Sequence, residues 1–354
     1  MKKIFIWMAA AISVLASCTK EPAGTSGGGS ADCYTLIYSV PSSIVVKGGV
    51  PAETGEDRIN SLTLLFFEHS DNGSGKFVRS YQVPGLSGTS SGYIGLKDTF
   101  TAGLNESKDY DILAVANIES YLSAGYNAWI NSMAGKTELE VTQSSLAKIS
   151  GAPNDSSNST TMIMPDNIPM SAKITLPAGE KTINIAMTRL VSRFDVLFEP
   201  AGYRMSSATI WNAYTFGSIF DYTFNDFSVS RTRRFYGLEQ DKIDYDDPKY
   251  PGGYIKGRLY AFENFVPAPQ GGDTATTCII FGISEEISAG TFGTPRYFRI
   301  SVNAKTNGQS LIRNHVYQIT IKDVDFHNGY AIESEACYAR PTELFYVTEC
   351  LENR

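Results

Sequence analysis

Residues 182–198, Thr-Ile-Asn-Ile-Ala-Met-Thr-Arg-Leu-Val-Ser-Arg-Phe-Asp-Val-Leu-Phe, contain two apolar alternations that are out of step with each other. Ile183, Ile185 and Met187 occupy odd positions, whereas the alternation that begins at Phe194 occupies even positions. Because successive side chains of a strand point to opposite faces, a one-residue shift turns every side chain over. The stretch therefore predicts two strands separated by a bulge or break near 189–192, with a domain boundary near residue 185.

Short period-two segments recur on both sides of this boundary, and turns rich in Gly, Pro, Asn and Ser separate them. In the first segment Tyr34, Leu36 and Tyr38 share one face. Pro41 favours an edge position for this strand, because proline cannot donate a hydrogen bond to a sheet ladder. The segment 62–67 is apolar on both faces, which is typical of a central strand.

The composition favours strands, since 20 Tyr and 19 Phe together with many Thr, Ser and Val suit pleated, half-buried surfaces. We therefore expect an all-β protein with an antiparallel β-sandwich over 34–185, a second over 186–354, and minor helix at 122–133 and 144–149. The predicted core residues are Leu64, Phe66, Leu113, Val115, Ile185 and Met187 in the first sandwich or at the junction, and Phe194, Val196, Ile279, Phe281, Tyr317 and Ile319 in the second.

The chain opens with the pattern of a bacterial export signal. An apolar run over 4–14, too short to span a bilayer, ends in Leu15-Ala16-Ser17-Cys18. A cysteine at the cleavage point resembles the lipobox of bacterial lipoproteins, although an ordinary secretory signal with a chance cysteine has the same pattern. We expect removal of 1–17, acylation of Cys18, transport to the outer membrane, and a flexible Gly- and Ser-rich tether over 18–33.

The charge balance argues against one class of partner. The chain has 30 basic and 37 acidic residues and a net charge of −7. Proteins that bind nucleic acid through phosphates carry an excess of basic residues, so no nucleic-acid partner is expected. No later hydrophobic stretch is long enough for a membrane helix, so the part after Cys18 is expected to be soluble and to work outside the inner membrane.

Residue types that perform catalysis or bind metals form no recognisable pattern. His69, His315 and His327 each lack a Cys, Asp or second His at a metal-ligand or triad spacing. No glycine-rich stretch opens a helix as a phosphate loop does. We expect no catalytic residue, no cofactor and no metal, and therefore no enzyme.

Two loops keep a ligand interpretation open. The cluster Asp241, Asp244, Asp246 and Asp247 could bind calcium, but it lacks EF-hand spacing, and a solvated loop is the plainer interpretation. The stretch 245–254 mixes Tyr with Pro and Gly and could stack a sugar, although Tyr is common in the turns of β-proteins.

The remaining cysteines, Cys33, Cys278, Cys337 and Cys350, match no zinc spacing. The exported compartment permits disulfides without requiring them in a chain of this size. Cys337 and Cys350 could be bonded if the C-terminus folds back as a hairpin. The sequence leaves the pairing open.

Several stretches together resemble the fimbrillin superfamily of Bacteroidetes, the type V pilus subunits related to the FimA/Mfa1 shaft and FimB/Mfa2 anchor lipoproteins. The stretches that carry the resemblance are the lipobox, Arg58, Leu62–Phe67, Gly75-Lys76-Phe77-Val78, Tyr110–Asn117, Ile168-Pro169-Met170-Ser171, Met187–Arg193, Glu263-Asn264 and Ile312–Tyr317. One family feature is missing, because Pro341 is not followed by a tryptophan near the C-terminus.

The resemblance implies transthyretin-like, Greek-key sandwiches and a structural or adhesive subunit, shaft or tip, of a cell-surface fimbrium. Such a subunit is exported as a lipoprotein, cut between Arg58 and Ile59 in an exposed loop, and assembled with other subunits by strand exchange. The strand with Tyr34, Leu36 and Tyr38 would leave. The segment 331–351, through Leu344 and Tyr346, would serve as donor or docking strand, unless it is simply an edge strand of its own sandwich.

Two alternative functions stay open at this point. The first is a fimbrial anchor that stays lipidated at Cys18 in the outer membrane. The second is a surface lipoprotein that binds glycans without catalysis. An adhesive subunit would have a glycan or a protein on a host or bacterial surface as its partner.

Overall fold

The computed structural model describes residues 34–40, 55–86, 88–96, 100, 103–144, 147–150, 163, 165–211, 213–214, 216–220, 236–238, 243–263, 277–301, 311–338 and 344–352. The signal segment with Cys18, the tether, Cys33 and Asp241 lie outside these residues.

The N-terminal half consists of strands with two short helices. Its elements are β1 (Tyr34–Ser39), β2 (Leu62–Glu68), β3 (Phe77–Gln82), β4 (Ser91–Leu96), β5 (Tyr110–Ala116), α1 (Tyr126–Asn131), α2 (Glu138–Thr142), β6 (Lys148–Ser150), β7 (Met170–Leu176), β8 (Thr182–Ala186) and β9 (Thr188–Arg189).

The C-terminal half is built in the same way. Its elements are β10 (Val191–Phe198), β11 (Tyr203–Trp211), β12 (Phe216–Ser218), β13 (Tyr236–Leu238), β14 (Tyr254–Phe262), β15 (Cys278–Ser288), β16 (Thr291–Phe292), β17 (Arg296–Ser301), β18 (His315–Val324), α3 (Glu333–Tyr338) and β19 (Leu344–Glu352).

Within the described residues, two sheets enclose the N-terminal core. One has the order β4-β1-β8 and the other the order β3-β2-β5-β7-β9. Strands β2 and β5 are buried along nearly their whole length, as their apolar residues on both faces predict. The inward side chains of both sheets join one hydrophobic cluster.

Two further sheets enclose the C-terminal core. One has the order β14-β10-β18-β19, and in the other β11 and β15 lie between β13 and β17. Their inward side chains form a second hydrophobic cluster. All twelve predicted core residues are buried, each with at most 3% of its surface exposed. The fold class, all-β with two sandwiches and little helix, is confirmed.

The strand break predicted near 189–192 is present. Strand β9 ends at Arg189 and pairs with β7, whereas β10 begins at Val191 in the sheet of the second sandwich. Leu190 and Val191 belong to the first core cluster and Phe194 to the second. The chain therefore passes between the two cores within a few residues of Leu190.

Three predictions about the fold are wrong in detail. The sandwiches are not purely antiparallel, because β1 pairs with β8 and β10 with β18 in parallel. Strand β1 is central rather than at an edge, because it lies between β4 and β8; Pro41, on which the prediction was based, lies outside the described residues. Lys148 and Ile149, predicted as part of a second helix, lie in strand β6, and helix α2 ends before them at Thr142.

Helix α2 has a capping box that the sequence analysis missed. The Thr137 hydroxyl accepts a hydrogen bond from the backbone N–H of Glu140, and the Glu140 carboxylate accepts one from the backbone N–H of Thr137 at 2.7 Å. This reciprocal capping stabilises the start of a helix by about 1 kcal/mol. Among the described residues, no helix is long and apolar enough to cross a membrane.

Candidate assembly site

The predicted exchange strand, β1, occupies the middle of its sheet. Its residues pair antiparallel with β4, from Tyr34 opposite Leu96 to Ser39 opposite Ser91. On its other side it pairs in parallel with β8, which places Leu36 beside Ile183. Removing β1 would therefore leave the ladder groups of two strands, rather than one, without partners.

One face of β1 supplies large side chains to the N-terminal core. Tyr34, Leu36 and Tyr38 expose at most 4% of their surface, whereas Ile37 on the opposite face is 36% exposed. The Tyr34 ring lies 5.3 Å from the Phe100 ring, and Phe100 lies 5.4 Å from Phe66. Such aromatic pairs contribute about 0.5–1.5 kcal/mol each beyond the burial of area. Without β1 this aromatic cluster would be open on one side.

Charged groups hold the N-terminal end of β1. The Lys181 ammonium lies 4.5 Å from the centre of the Tyr34 ring, 3.3 Å from its hydroxyl and 2.7 Å from a Glu106 carboxylate oxygen. Burial raises the pKa of the Tyr34 hydroxyl, while the hydrogen bond with Lys181 opposes the rise. The same ammonium lowers the pKa of Glu106 through its hydrogen bond and charge.

The predicted processing residues lie between β1 and β2. The Arg58 side chain is exposed, but Ile59 is fully buried. The backbone N–H of Arg58 donates to Gly55 O at 3.0 Å, and its carbonyl accepts from the Asn117 side-chain amide at 2.7 Å. Ile59 N–H donates to Thr89 O at 3.3 Å. The structure thus exposes the arginine side chain while fixing the peptide bond that follows it.

The two residues before Arg58 contact arginines of β9 and β10; Glu56 is buried, and Asp57 has 26% of its side chain exposed. Glu56 accepts hydrogen bonds from Arg193 Nη1 at 2.6 Å and from the Tyr260 hydroxyl at 2.6 Å. Asp57 forms an ion pair with Arg189, whose Nη1 also donates to the Asn314 side-chain oxygen at 3.1 Å. Glu56 and Arg193 each have 4% of their side chain exposed.

A second carboxylate completes this buried group. Arg193 Nη2 donates to Asp195 at 2.8 Å, and Asp195 also accepts from the backbone N–H of Gly257 at 3.1 Å. Burial alone would lower the pKa of Arg193, but the charges of Asp195 and Glu56 outweigh burial and raise it. Burial also raises the pKa of Tyr260, and the Glu56 carboxylate adds to the rise. Arg193 is therefore charged and Tyr260 neutral at physiological pH.

The predicted donor strand lies elsewhere, in the C-terminal sandwich. Strand β19 pairs antiparallel with β18, from Val324 opposite Leu344 to His315 opposite Glu352, and Tyr346 lies opposite Ile321. It is the last strand of its sheet. In the described part of the chain the segment thus pairs with its own sandwich at the end of a sheet, a position from which it could also be released.

The cysteines that could close a hairpin lie on different kinds of element. Cys337 is in helix α3, and Cys350 is in β19 beside Tyr317 of β18. The residues around Cys337 thus form a helix, and not a strand that could be the first arm of such a hairpin. Cys278 is buried at the start of β15.

The loops with a ligand interpretation have other partners. Asp244 pairs with Arg258 at 3.2 Å, and Asp246 accepts from the Tyr254 hydroxyl at 2.7 Å. The Tyr245 ring is covered by the Arg204 guanidinium at 3.8 Å, and the Tyr254 ring by the Lys256 ammonium at 4.8 Å. Cations thus already occupy ring faces that a sugar would need. In the described part of the chain, no group of three or more His, Cys, Asp or Glu is arranged to hold a metal.

One histidine has a carboxylate partner distant in sequence. His69 Nδ1 lies 3.0 Å from Asp111, which is 2% exposed and also accepts from the Thr175 hydroxyl at 2.8 Å. The hydrogen bond and charge of Asp111 raise the pKa of His69. Burial alone would raise the pKa of Asp111, but hydrogen bonds from His69, Thr175 and Ser70 outweigh it and lower the pKa. Asp111 thus joins β5 to the residue that follows β2, through His69, and to β7, through Thr175.

Comparison with known proteins shows a family similarity over part of the chain. Residues 43–200 match the model of the family described as Major fimbrial subunit protein (FimA). No curated protein matches the chain.

Several solved structures share the fold. The tip fimbrial protein Mfa3 from Porphyromonas gingivalis, with a C-terminal truncation, is 16% identical with a TM-score of 0.53, over 90% of this chain and 99% of that one. A protein from Parabacteroides distasonis described as a cell adhesion protein is 17% identical with a TM-score of 0.53, over 91% and 97%. Another so described, from Bacteroides eggerthii, is 14% identical with a TM-score of 0.51, over 91% and 97%.

The match over residues 43–200 is thus to a family of fimbrial structural proteins, and the solved structures share the double-sandwich fold. Through residues 43–200, the chain is similar to the FimA fimbrillin family.

Proposed function

We propose that this chain is a shaft or tip subunit of a cell-surface fimbrium, exported as a lipoprotein through Cys18, cut between Arg58 and Ile59, and joined to other subunits by strand exchange. The observation that supports this most is the central position of β1, the strand that such a cut would separate from the rest of the chain. The family match supports the fimbrial setting.

Loss of β1 would create a groove between β4 and β8 that can bind another strand on both sides. The backbone groups of β4 and β8 that now pair with β1 would lack partners, and the buried face of Tyr34, Leu36 and Tyr38 would leave an apolar trough. An extended strand from a second subunit can restore both the ladder hydrogen bonds and the side-chain contacts. A replacement of six residues, the length of β1, spans about 20 Å.

The C-terminal segment is the donor that the sequence supports. Leu344 and Tyr346 alternate along it as Leu36 and Tyr38 do along β1. Strand β19 lies at a sheet edge, so its release breaks one ladder and leaves β18 paired with β10. The competing role is that of a permanent edge strand, which needs no exchange.

An anchor that stays lipidated at Cys18 in the outer membrane is the second candidate, and one observation favours it. The bond after Arg58 is held by Asn117 and by the burial of Ile59. Proteases need an extended and accessible segment, so a fixed bond resists cutting. In this role β1 would stay in place and the groove would never open.

The variant Arg58→Ala tests the processing step in cells. We expect the variant to fold, because the Arg58 side chain is exposed, and to remain at full length on the membrane without entering fimbriae. Arg79→Ala, which changes an arginine of β3, serves as the control and should be trimmed and assembled like the unmodified protein. Unchanged trimming and assembly of Arg58→Ala would refute the role of this residue.

A further inference from the structure

The segment just before Arg58 is bonded far more firmly than a cleavable loop requires. Ile59 is fully buried, Asn117 holds the Arg58 carbonyl at 2.7 Å, and Gly55 O accepts the Arg58 N–H. A protease must draw several residues on each side of the bond into an extended conformation. Cutting therefore requires this segment to detach first.

What holds the segment is a pair of buried arginines from two neighbouring strands. Arg189 on β9 contacts Asp57 through Nη2 and the Glu56 carbonyl through Nε at 3.3 Å. Arg193 on β10 contacts the Glu56 carboxylate at 2.6 Å. These strands belong to different sheets, one in each sandwich, so the segment bridges the two.

The charges at this position favour an acidic occupant. With the segment in place, two arginines face three carboxylates: those of Glu56, Asp57 and Asp195. Without the segment, both arginines lose the carboxylates of Glu56 and Asp57, while Arg193 keeps its contact with Asp195 and Arg189 its contact with the Asn314 side-chain oxygen. A buried charge that loses a partner is strongly unfavourable, because the lost attraction no longer offsets the cost of removing the charge from water. The arginines therefore select a segment with two adjacent acids over a neutral one.

We propose that Arg189 and Arg193 form a binding site for an acidic peptide segment. In the uncut chain Gly55–Asp57 fills this site. Its occupancy controls access to the Arg58–Ile59 bond, a step that rests on the proposed cut after Arg58. The site acts as a latch: the bond is protected while Glu56 and Asp57 are bound and becomes cleavable when they release. Detachment of the same segment loosens the connection between the two sandwiches.

The test compares Glu56→Gln and Asp57→Asn with the unmodified full-length protein. Each variant keeps the shape of the side chain and removes its charge. We expect hydrogen exchange at the Ile59 amide, and trypsin cleavage between Arg58 and Ile59 followed by mass spectrometry, to accelerate roughly tenfold or more. Exchange in β18 should stay unchanged, because that strand lies in the interior of the second sandwich.

Glu119→Gln is the matched control. Glu119 binds the same part of the chain, through the Ser61 hydroxyl at 2.6 Å, without contacting the arginines, and a glutamine keeps that hydrogen bond. It should leave cleavage and exchange at Ile59 within about twofold of the unmodified protein. The latch would be refuted if neither Glu56→Gln nor Asp57→Asn changed the rates of cleavage and exchange at Ile59. It would also be refuted if exchange rose equally at Ile59 and throughout β18.

The outcome is independent of processing in cells. Exchange and trypsin cleavage are measured on the purified chain, so they report on the latch even if the cell-surface protein is never cut at Arg58. Conversely, a protein that is cut in cells but whose exchange responds to neither Glu56→Gln nor Asp57→Asn would retain the proposed function and exclude the latch.

Discussion

Tyr38 lies directly opposite Gly92 in the β1–β4 pair, and a methyl group added to Gly92 would lie 2.6 Å from the Tyr38 hydroxyl. The glycine therefore leaves room for an aromatic ring that crosses from the central strand toward the edge strand. The Tyr38 hydroxyl hydrogen-bonds to the Thr89 hydroxyl at 3.1 Å, which fixes the ring there. The groove around β1 is shaped for an aromatic side chain at this position.

Gly92→Ala should destabilise the uncut protein by about 1–3 kcal/mol, the usual cost of overpacking, because the Tyr38 ring must move. Gly95→Ala on the same strand is the control, since nothing lies within 4 Å of a methyl group placed there. Thermal or urea unfolding of the two variants measures the difference. Equal free energies of unfolding of Gly92→Ala and Gly95→Ala would mean that the Tyr38 ring does not pack against Gly92.

Leu36→Ala should lower the free energy of unfolding of the uncut protein by about 2–5 kcal/mol, because it leaves a cavity at a fully buried position. Ile37→Ala, on the outer face of the same strand, should cost much less. If β1 leaves during assembly, fimbriae grown from Leu36→Ala should dissociate at the same temperature as those of the unmodified protein. A loss of fimbrial stability would show that β1 is retained.

The His69–Asp111 pair predicts a pH dependence of stability. The folded pKa of His69 lies above its ordinary value of about 6.5, so its contribution is present below that pH and is lost as the pH rises through the raised pKa. The folded pKa of Asp111 is lowered, so its contribution is present above about 4 and is lost as the pH falls through the lowered pKa.

Urea unfolding of the unmodified protein and of His69→Asn, measured from pH 5 to pH 9, checks this dependence. The unmodified protein should lose stability above about pH 6.5, whereas His69→Asn should lose less over the same range. His327→Asn is the control, since His327 lies in an exposed turn near Phe326. If the free energy of unfolding changes with pH in the same way in His69→Asn and in the unmodified protein, the His69–Asp111 pair does not cause the pH dependence.

Deletion of residues 341–354 separates the two roles of the C-terminal strand. Strand β18 would still pair with β10, so we expect a folded, soluble monomer that cannot join fimbriae. Circular dichroism and gel filtration test folding, and non-boiled gels test assembly. Failure to fold would make β19 a permanent part of its own sandwich, and normal assembly would exclude it as the donor.

The sequence predicted the elements better than their arrangement. The buried strands β2 and β5 were predictable because both of their faces are apolar. The parallel pairing of β1 with β8 could not be predicted, because side chains alternate between the two faces in the same way in parallel and in antiparallel strands. Strand β1 was expected at an edge because Pro41 follows it in sequence, but the strand pairs with β4 on one side and with β8 on the other.

The contacts around Arg58 could not be read from local sequence at all. Glu56 meets Arg193 across 137 positions, and no spacing rule links residues that far apart. Composition identified an exposed arginine in a region rich in turn residues, and the structure does expose its side chain. The fixed backbone on either side follows from tertiary contacts with Asn117 and Thr89.

The most direct test of strand exchange is the N-terminal sequence of the subunit within purified fimbriae. The account predicts that the chain begins at Ile59 and that peptides from 34–39 are absent, because β1 has been replaced by a strand from a neighbour. A subunit in assembled fimbriae that still begins at acylated Cys18 and retains Tyr34–Ser39 would contradict it, and would leave the lipidated anchor as the role of this chain.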